Sequence, residues 1–225
     1  MTRRHAPPAV SAALARSRFL LLLLSLVLMY AIQPVLRWQE REILGRDAVL
    51  ALVLLAGVWS LSHSRLLFLT GLALVAATLG AARAGVALVG LSFGLAFLIF
   101  MIATLLSLVL RPKSVTTDTI LGGICVYMLL ALAWTVIFSV LEIVDPQSFA
   151  SSAGPLTRQE HGLMVPELLH YSVFVITSMG PGYVQPMTQV ARAWTGLAAI
   201  TGQLYLAVFI ARLVGMHASQ LHRDG

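Results

Sequence analysis

Long apolar runs, cut by short charged or Pro/Gly breaks, dominate the chain. They cover about 19–36, 48–61, 66–82, 86–110, 119–144 and 191–216. A bilayer core of about 30 Å asks for about twenty apolar residues per helix, so six membrane helices are predicted. The second and third runs are short for that thickness, and tilt or local thinning of the bilayer is expected there. The breaks are equally legible. Arg37 to Asp47 mixes three arginines with three acids and suits a turn at the interface. Ser62-His63-Ser64-Arg65, Arg83-Ala84-Gly85 and Arg111-Pro112-Lys113 separate the next runs. Asp118 or a nearby threonine is placed to cap the fifth helix. Residues 145–165, with Pro146, Gly154 and Pro155, read as an extramembrane loop.

One stretch departs from this rhythm. In 165–190, VPELLHYSVFVITSMGPGYVQPMTQV, the apolar run from Leu168 to Met179 is too short to cross a membrane. Pro166 and Glu167 form a favoured helix start, since proline fits the first turn and an acid suits the positive end. Gly180-Pro181-Gly182 stops the helix. Irregular backbone at membrane depth persists only when packed in protein or lining a water-filled path. A short helix aimed at a glycine-rich segment, between two long apolar helices, has the layout of an ion filter. The stretch is therefore expected to be a re-entrant pore loop.

Composition agrees with the membrane assignment. Of 225 residues, 59% are hydrophobic and 11% charged, against roughly 25% charged in soluble domains. The net charge of +6 is carried almost wholly by arginine, Lys113 being the one lysine. In a membrane protein such an excess follows the positive-inside bias rather than nucleic-acid binding. With the N-terminus inside, nine basic residues lie on the cytoplasmic side (Arg3, Arg4, Arg16, Arg18, Arg65, Arg111, Lys113, Arg212, Arg223) and six outside (Arg37, Arg41, Arg46, Arg83, Arg158, Arg192). This places both termini in the cytoplasm and the pore loop outside. Arg3-Arg4 precede the first apolar run by some fifteen residues and no small-x-small site follows it, so an uncleaved span is expected rather than a signal peptide. Cys125 is the single cysteine, suited to a small core position and unable to form an intrachain disulfide.

Residues 115–217 resemble the pore module of the bacterial potassium-channel-like family. The inner-helix text Gly202-Gln203-Leu204-Tyr205-Leu206-Ala207-Val208-Phe209-Ile210-Ala211-Arg212-Leu213-Val214-Gly215, and the outer-helix text Gly122-Gly123-Ile124-Cys125-Val126-Tyr127, carry the likeness. The family filter reads roughly T-T-x-G-Y-G-D-x-x-P; here Thr177-Ser178-Met179-Gly180-Pro181-Gly182-Tyr183-Val184-Gln185-Pro186 stands in its place. The resemblance implies a homotetramer conducting monovalent cations, potassium above all, through backbone carbonyls of Thr177, Ser178, Met179, Gly180, Pro181 and Gly182. Tyr183 would lie at the outer mouth. Such a filter needs alternating right- and left-handed backbone, and Gly180 and Gly182 supply glycine where it is needed.

Three substitutions set this chain apart. Pro181 replaces the aromatic of G-Y-G, Tyr183 replaces the aspartate, and Ala198 stands where many relatives carry a glutamate. A filter re-braced by Tyr183, a weakly selective filter and a non-conducting one all remain open. The alternative function is accordingly a non-conducting relative acting as a membrane subunit or scaffold. Voltage sensing is not expected, because the fourth span contains no charged residue. H-E-x-x-H does not occur, and no enzyme activity or cofactor is expected. Glu167 and His170 form a lone E-x-x-H pair, read as a helix-start acid and a histidine packed near the loop, with pH sensing a lesser role. Gly202 is read equally as a gating hinge or a packing contact, and Arg212 as snorkelling or lining an inner vestibule. Trp59, Trp134 and Trp194 are read as packing residues.

The expected fold is an all-α membrane protein: six transmembrane helices with one re-entrant pore helix and filter between the fifth and sixth. Residues 1–18 form a basic cytoplasmic tail, 19–110 a four-helix region without voltage-sensor charges, 111–216 the pore module, and 217–225 a second cytoplasmic tail. The expected location is the cell inner or plasma membrane, and the expected partners are the lipid bilayer and sister copies of the chain.

Overall fold

The computed structural model describes residues 18–37, 65–110, 116–151, 154–156, 166–180 and 182–224. The basic tail before residue 18, the hinge residues 38–47, the second apolar run 48–61 with Trp59, the break at Arg111-Pro112-Lys113 and Pro181 lie outside the described residues. The elements run α1 (Arg18–Arg37), α2 (Arg65–Arg83), α3 (Ala87–Leu110), α4 (Thr117–Val144), β1 (Phe149–Ser151), β2 (Gly154–Pro155), α5 (Pro166–Ile176), β3 (Val184–Pro186) and α6 (Gln189–Asp224). Three helices are long and apolar enough to cross a membrane: α3, α4, and α6 as far as Ala218. Shorter apolar helical stretches cover Phe19–Ala31, Phe68–Ala81 and Glu167–Ile176. The chain is thus a predominantly helical membrane protein.

The helix ends follow from local chemistry. Thr116 caps α4: its backbone is extended and its Oγ1 accepts the Thr119 N–H at 3.2 Å. Asp118 sits in the first turn, where the helix dipole favours an acid. The far end stops at Asp145, whose successor Pro146 disfavours helix. Between α2 and α3, Gly85 takes φ 73° and the Val86 N–H returns to Ala81 O at 3.2 Å, a left-handed cap that only glycine enters cheaply.

α4 is the central element, packed by α1, α3, α5 and α6. Lipid is as apolar as leucine, so close approach and hydrogen bonds, rather than escape from water, hold such helices together. The first core joins Leu22, Leu26 and Met29 of α1 with Phe97, Met101 and Leu105 of α3 and Cys125, Val126 and Leu129 of α4. Cys125 is buried, as expected, with Sγ 3.4 Å from Phe19 O. Gly90 is buried and Gly94 meets Thr78 of α2, whereas Ser92 and Ala96 on the same helix are exposed.

The second core lies between α4, α5 and the sheet. Phe138, Phe149 and Tyr171 are fully buried and stack edge-on to one another with centroids 5.2–5.4 Å apart. Pairs of this kind are worth about 0.5–1.5 kcal/mol each beyond their buried area.

One expectation is corrected and one is refined. The loop expected from 145 to 165 contributes β1 and β2 to a three-stranded antiparallel sheet of order β2-β1-β3, with Phe149 opposite Pro186 and Ser151 opposite Val184. The polar tail expected from 217 is helical, since α6 continues through it to Asp224. No proline, and no glycine after Gly215, interrupts it before Gly225.

Candidate functional site

The segment from Thr177 to Tyr183 links α5 to β3 and is secured at both ends. At the α5 end, Tyr127 of α4 donates its hydroxyl to Ile176 O at 2.9 Å. α6 presses its backbone onto the same residue: a Cβ at Gly202 would lie 2.2 Å from Ile176 O. Only glycine permits that approach, so Gly202 is a packing contact. Tyr205 continues the seam. Its hydroxyl donates to Gly123 O at 2.7 Å, its ring stacks on Tyr127 and Phe209, and Phe209 covers the bare face of Gly123.

Tyr171 and Thr195 hydroxyls lie 2.6 Å apart. Thr195 donates its one proton to Ala191 O at 2.7 Å, so Tyr171 is the donor of this α5–α6 link. Ser172 donates to Ala131 O of α4 at 2.6 Å. Buried hydroxyls thus tie α5 to both neighbouring helices.

At the β3 end, the sheet fixes Val184 to Pro186 against β1. β1 is itself held by Glu142, whose two carboxylate oxygens accept the Gln147 and Phe149 N–H groups, each at 2.9 Å. Met187 N–H adds a bond to Ser148 O at 2.8 Å.

Between these anchors the chain turns by handedness. Ser178 has φ 58°, Gly180 φ 97° and Gly182 φ 65°. Ser178 ends α5 in a Schellman arrangement: Met179 N–H reaches Phe174 O at 2.9 Å and Ser178 N–H reaches Val175 O at 3.0 Å. A non-glycine residue in this region costs roughly 1–2 kcal/mol. Gln203 Nε2 of α6 donates to Ser178 Oγ at 2.8 Å.

The remaining site residues fall as follows. Thr177 is half-buried, and its hydroxyl turns back to donate to Val173 O at 2.7 Å. Ser178 and Met179 are exposed, Met179 at 69%. Pro181 lies outside the described residues. Tyr183 is exposed, its ring 5.4 Å from His170, which packs 4.2 Å from Phe174. Among the described residues no group of three His, Cys, Asp or Glu is placed to hold a metal ion. Ala198 is fully buried in the second core. Trp134 and Trp194 pack together, centroids 6.1 Å apart.

Arg212 is half-buried, and its Nη2 donates to Leu110 O. That carbonyl belongs to the negative end of α3, where a cation is favoured. The sequence reading missed Gln203, the Tyr171–Thr195 pair and Glu142. Gln203 alone left a signal, an amide inside an otherwise apolar helical run.

No protein-family model, curated protein or solved structure matches the chain.

Proposed function

We propose that the chain is the subunit of a homotetrameric cation channel of the potassium-channel type, in which 177–182 form a backbone-carbonyl filter and potassium is the leading permeant ion. The observation that carries this reading is the backbone of the segment. Ser178, Gly180 and Gly182 are left-handed while Met179 is not. Alternation of this kind turns successive carbonyls toward one side, where they can replace an ion's hydration shell. The negative end of α5 adds a favourable field for a cation. Exposure is consistent with further copies: Ile200, Leu204 and Val208 of α6 are each more than half exposed, an apolar stripe that sister subunits and lipid would share.

In this reading the chain crosses the bilayer six times, α5 and the filter re-enter between the fifth and sixth spans, and both termini face the cytoplasm of an inner or plasma membrane. The region before the pore module is a scaffold for it. One feature favours the second reading, a non-conducting subunit or scaffold: the Thr177 hydroxyl bonds its own helix instead of facing an ion path.

The test is reconstitution. The purified 24.2 kDa chain should run as a tetramer by light scattering and carry potassium across liposomes. A protein that moves no cation under any gradient or pH, whatever its assembly, ends the channel reading and leaves the scaffold.

A further inference from the structure

Left-handed helix caps belong to glycine, because a Cβ there crowds the following carbonyl. Ser178 occupies that position with φ 58°. The serine does what glycine cannot: it places an oxygen beyond the end of α5, and that oxygen is gripped. Gln203 Nε2 donates to Ser178 Oγ at 2.8 Å. The reach depends on the preceding residue, since the bare Cα of Gly202 lets α6 close onto Ile176. Tyr127 holds the same carbonyl from α4. The hydroxyl is thus fixed from a helix whose own position is fixed at the neighbouring residue.

We propose that Gln203 is a positioning residue for ion selectivity, setting the Ser178 hydroxyl at the inner end of the filter; this rests on the channel reading above. A hydroxyl has one proton and two lone pairs. The amide N–H of Gln203 occupies one lone pair and stops the side chain from changing rotamer. One lone pair is left for a cation, at a fixed position. A smaller, more strongly hydrated ion such as sodium needs oxygens that close in around it, and a gripped hydroxyl cannot follow. An ungripped one can. Gln203 therefore disfavours sodium without touching the ion.

The experiment compares potassium and sodium flux into liposomes for the wild type, Gln203→Met, Ser178→Ala and the double variant, with tetramer content and thermal unfolding measured alongside. Gln203→Met keeps the side-chain length and removes the donor. It should lower the potassium-to-sodium flux ratio roughly fivefold, about the worth of one neutral hydrogen bond. It should do so in tetramers of wild-type stability. In the Ser178→Ala background the same change should have no further effect, because there is no hydroxyl left to hold. If Gln203→Met does not assemble, Gln203→Asn, polar but one methylene too short to reach, takes its place. A conducting wild type whose ratio is unmoved by Gln203→Met, or moved equally with and without the Ser178 hydroxyl, overturns this inference alone. A wild type that moves no cation overturns the channel reading and this inference together.

Discussion

Replacing Gly202 with alanine measures how firmly α6 is pinned to the end of α5. The new methyl would lie 2.2 Å from Ile176 O and 2.9 Å from Ile176 C and Cα. Carbon–oxygen contacts normally begin near about 3.3 Å, so the methyl is roughly 1 Å too close. The obstacle is main chain, held by its own helix and by Tyr127, and it cannot swing aside. Overpacking costs about 1–3 kcal/mol, and unyielding backbone puts this case at the upper end. Alanine recovers about 1 kcal/mol of helix propensity relative to glycine. The net loss is then about 2 kcal/mol. Gly196, on the same helix, supplies the comparison, since among the described residues nothing lies within 4 Å of a Cβ there. Gly196→Ala should gain up to about 1 kcal/mol. At about 2–4 °C per kcal/mol for a chain of this size, thermal unfolding in detergent should separate the two variants by about 6–12 °C. A Gly202→Ala protein as stable as wild type, with only its flux altered, would refute the packing argument and restore Gly202 as a hinge.

Two further outcomes follow from the same contacts. A Cβ at Gly123 would fall 2.0–2.6 Å from the Phe209 ring, so Gly123→Ala should lose about 1–3 kcal/mol and Phe209→Leu in the same chain should return part of it; equal unfolding temperatures for the single variant and wild type would show that Phe209 is not seated there. Glu142→Ala removes the acceptor of two backbone N–H groups and should cost about 1.5–3 kcal/mol, with faster hydrogen exchange at Gln147 and Phe149, whereas Glu142→Gln, which keeps one acceptor, should lie between.

The helices were legible because each is written as a run with a chemical stop. Pro166 and Glu167 announce α5, and Thr116 beside Asp118 announces α4. α5 closes at Ile176, near where the filter layout puts the end of a pore helix, by the left-handed turn at Ser178, although the apolar run continues to Met179. Hydropathy does not register backbone handedness. The sheet was illegible because its strands are two or three residues long, too short for a period of two to emerge, and its pairing joins Phe149–Ser151 to residues some thirty positions away. The continuation of α6 to Asp224 was missed for another reason. Polarity marks where a helix leaves the bilayer, not where it ends, and α6 meets no residue that would stop it. Within the site, the glycine positions could be read from the text. The partners of Ser178 and Ile176 could not, since Gln203 and Tyr127 come from two other helices, α6 and α4.

Pairing of β1 with β3 has a consequence for assembly. The chain carries its Thr177–Tyr183 segment tethered at both ends, so in the proposed tetramer much of the ordering would be complete before subunits met. Conformational entropy lost at an interface subtracts directly from affinity. In the proposed tetramer, preorganised segments of this kind would let four copies associate as finished parts, and the oligomer would owe its stability to how well rigid surfaces match rather than to loops that must freeze on contact.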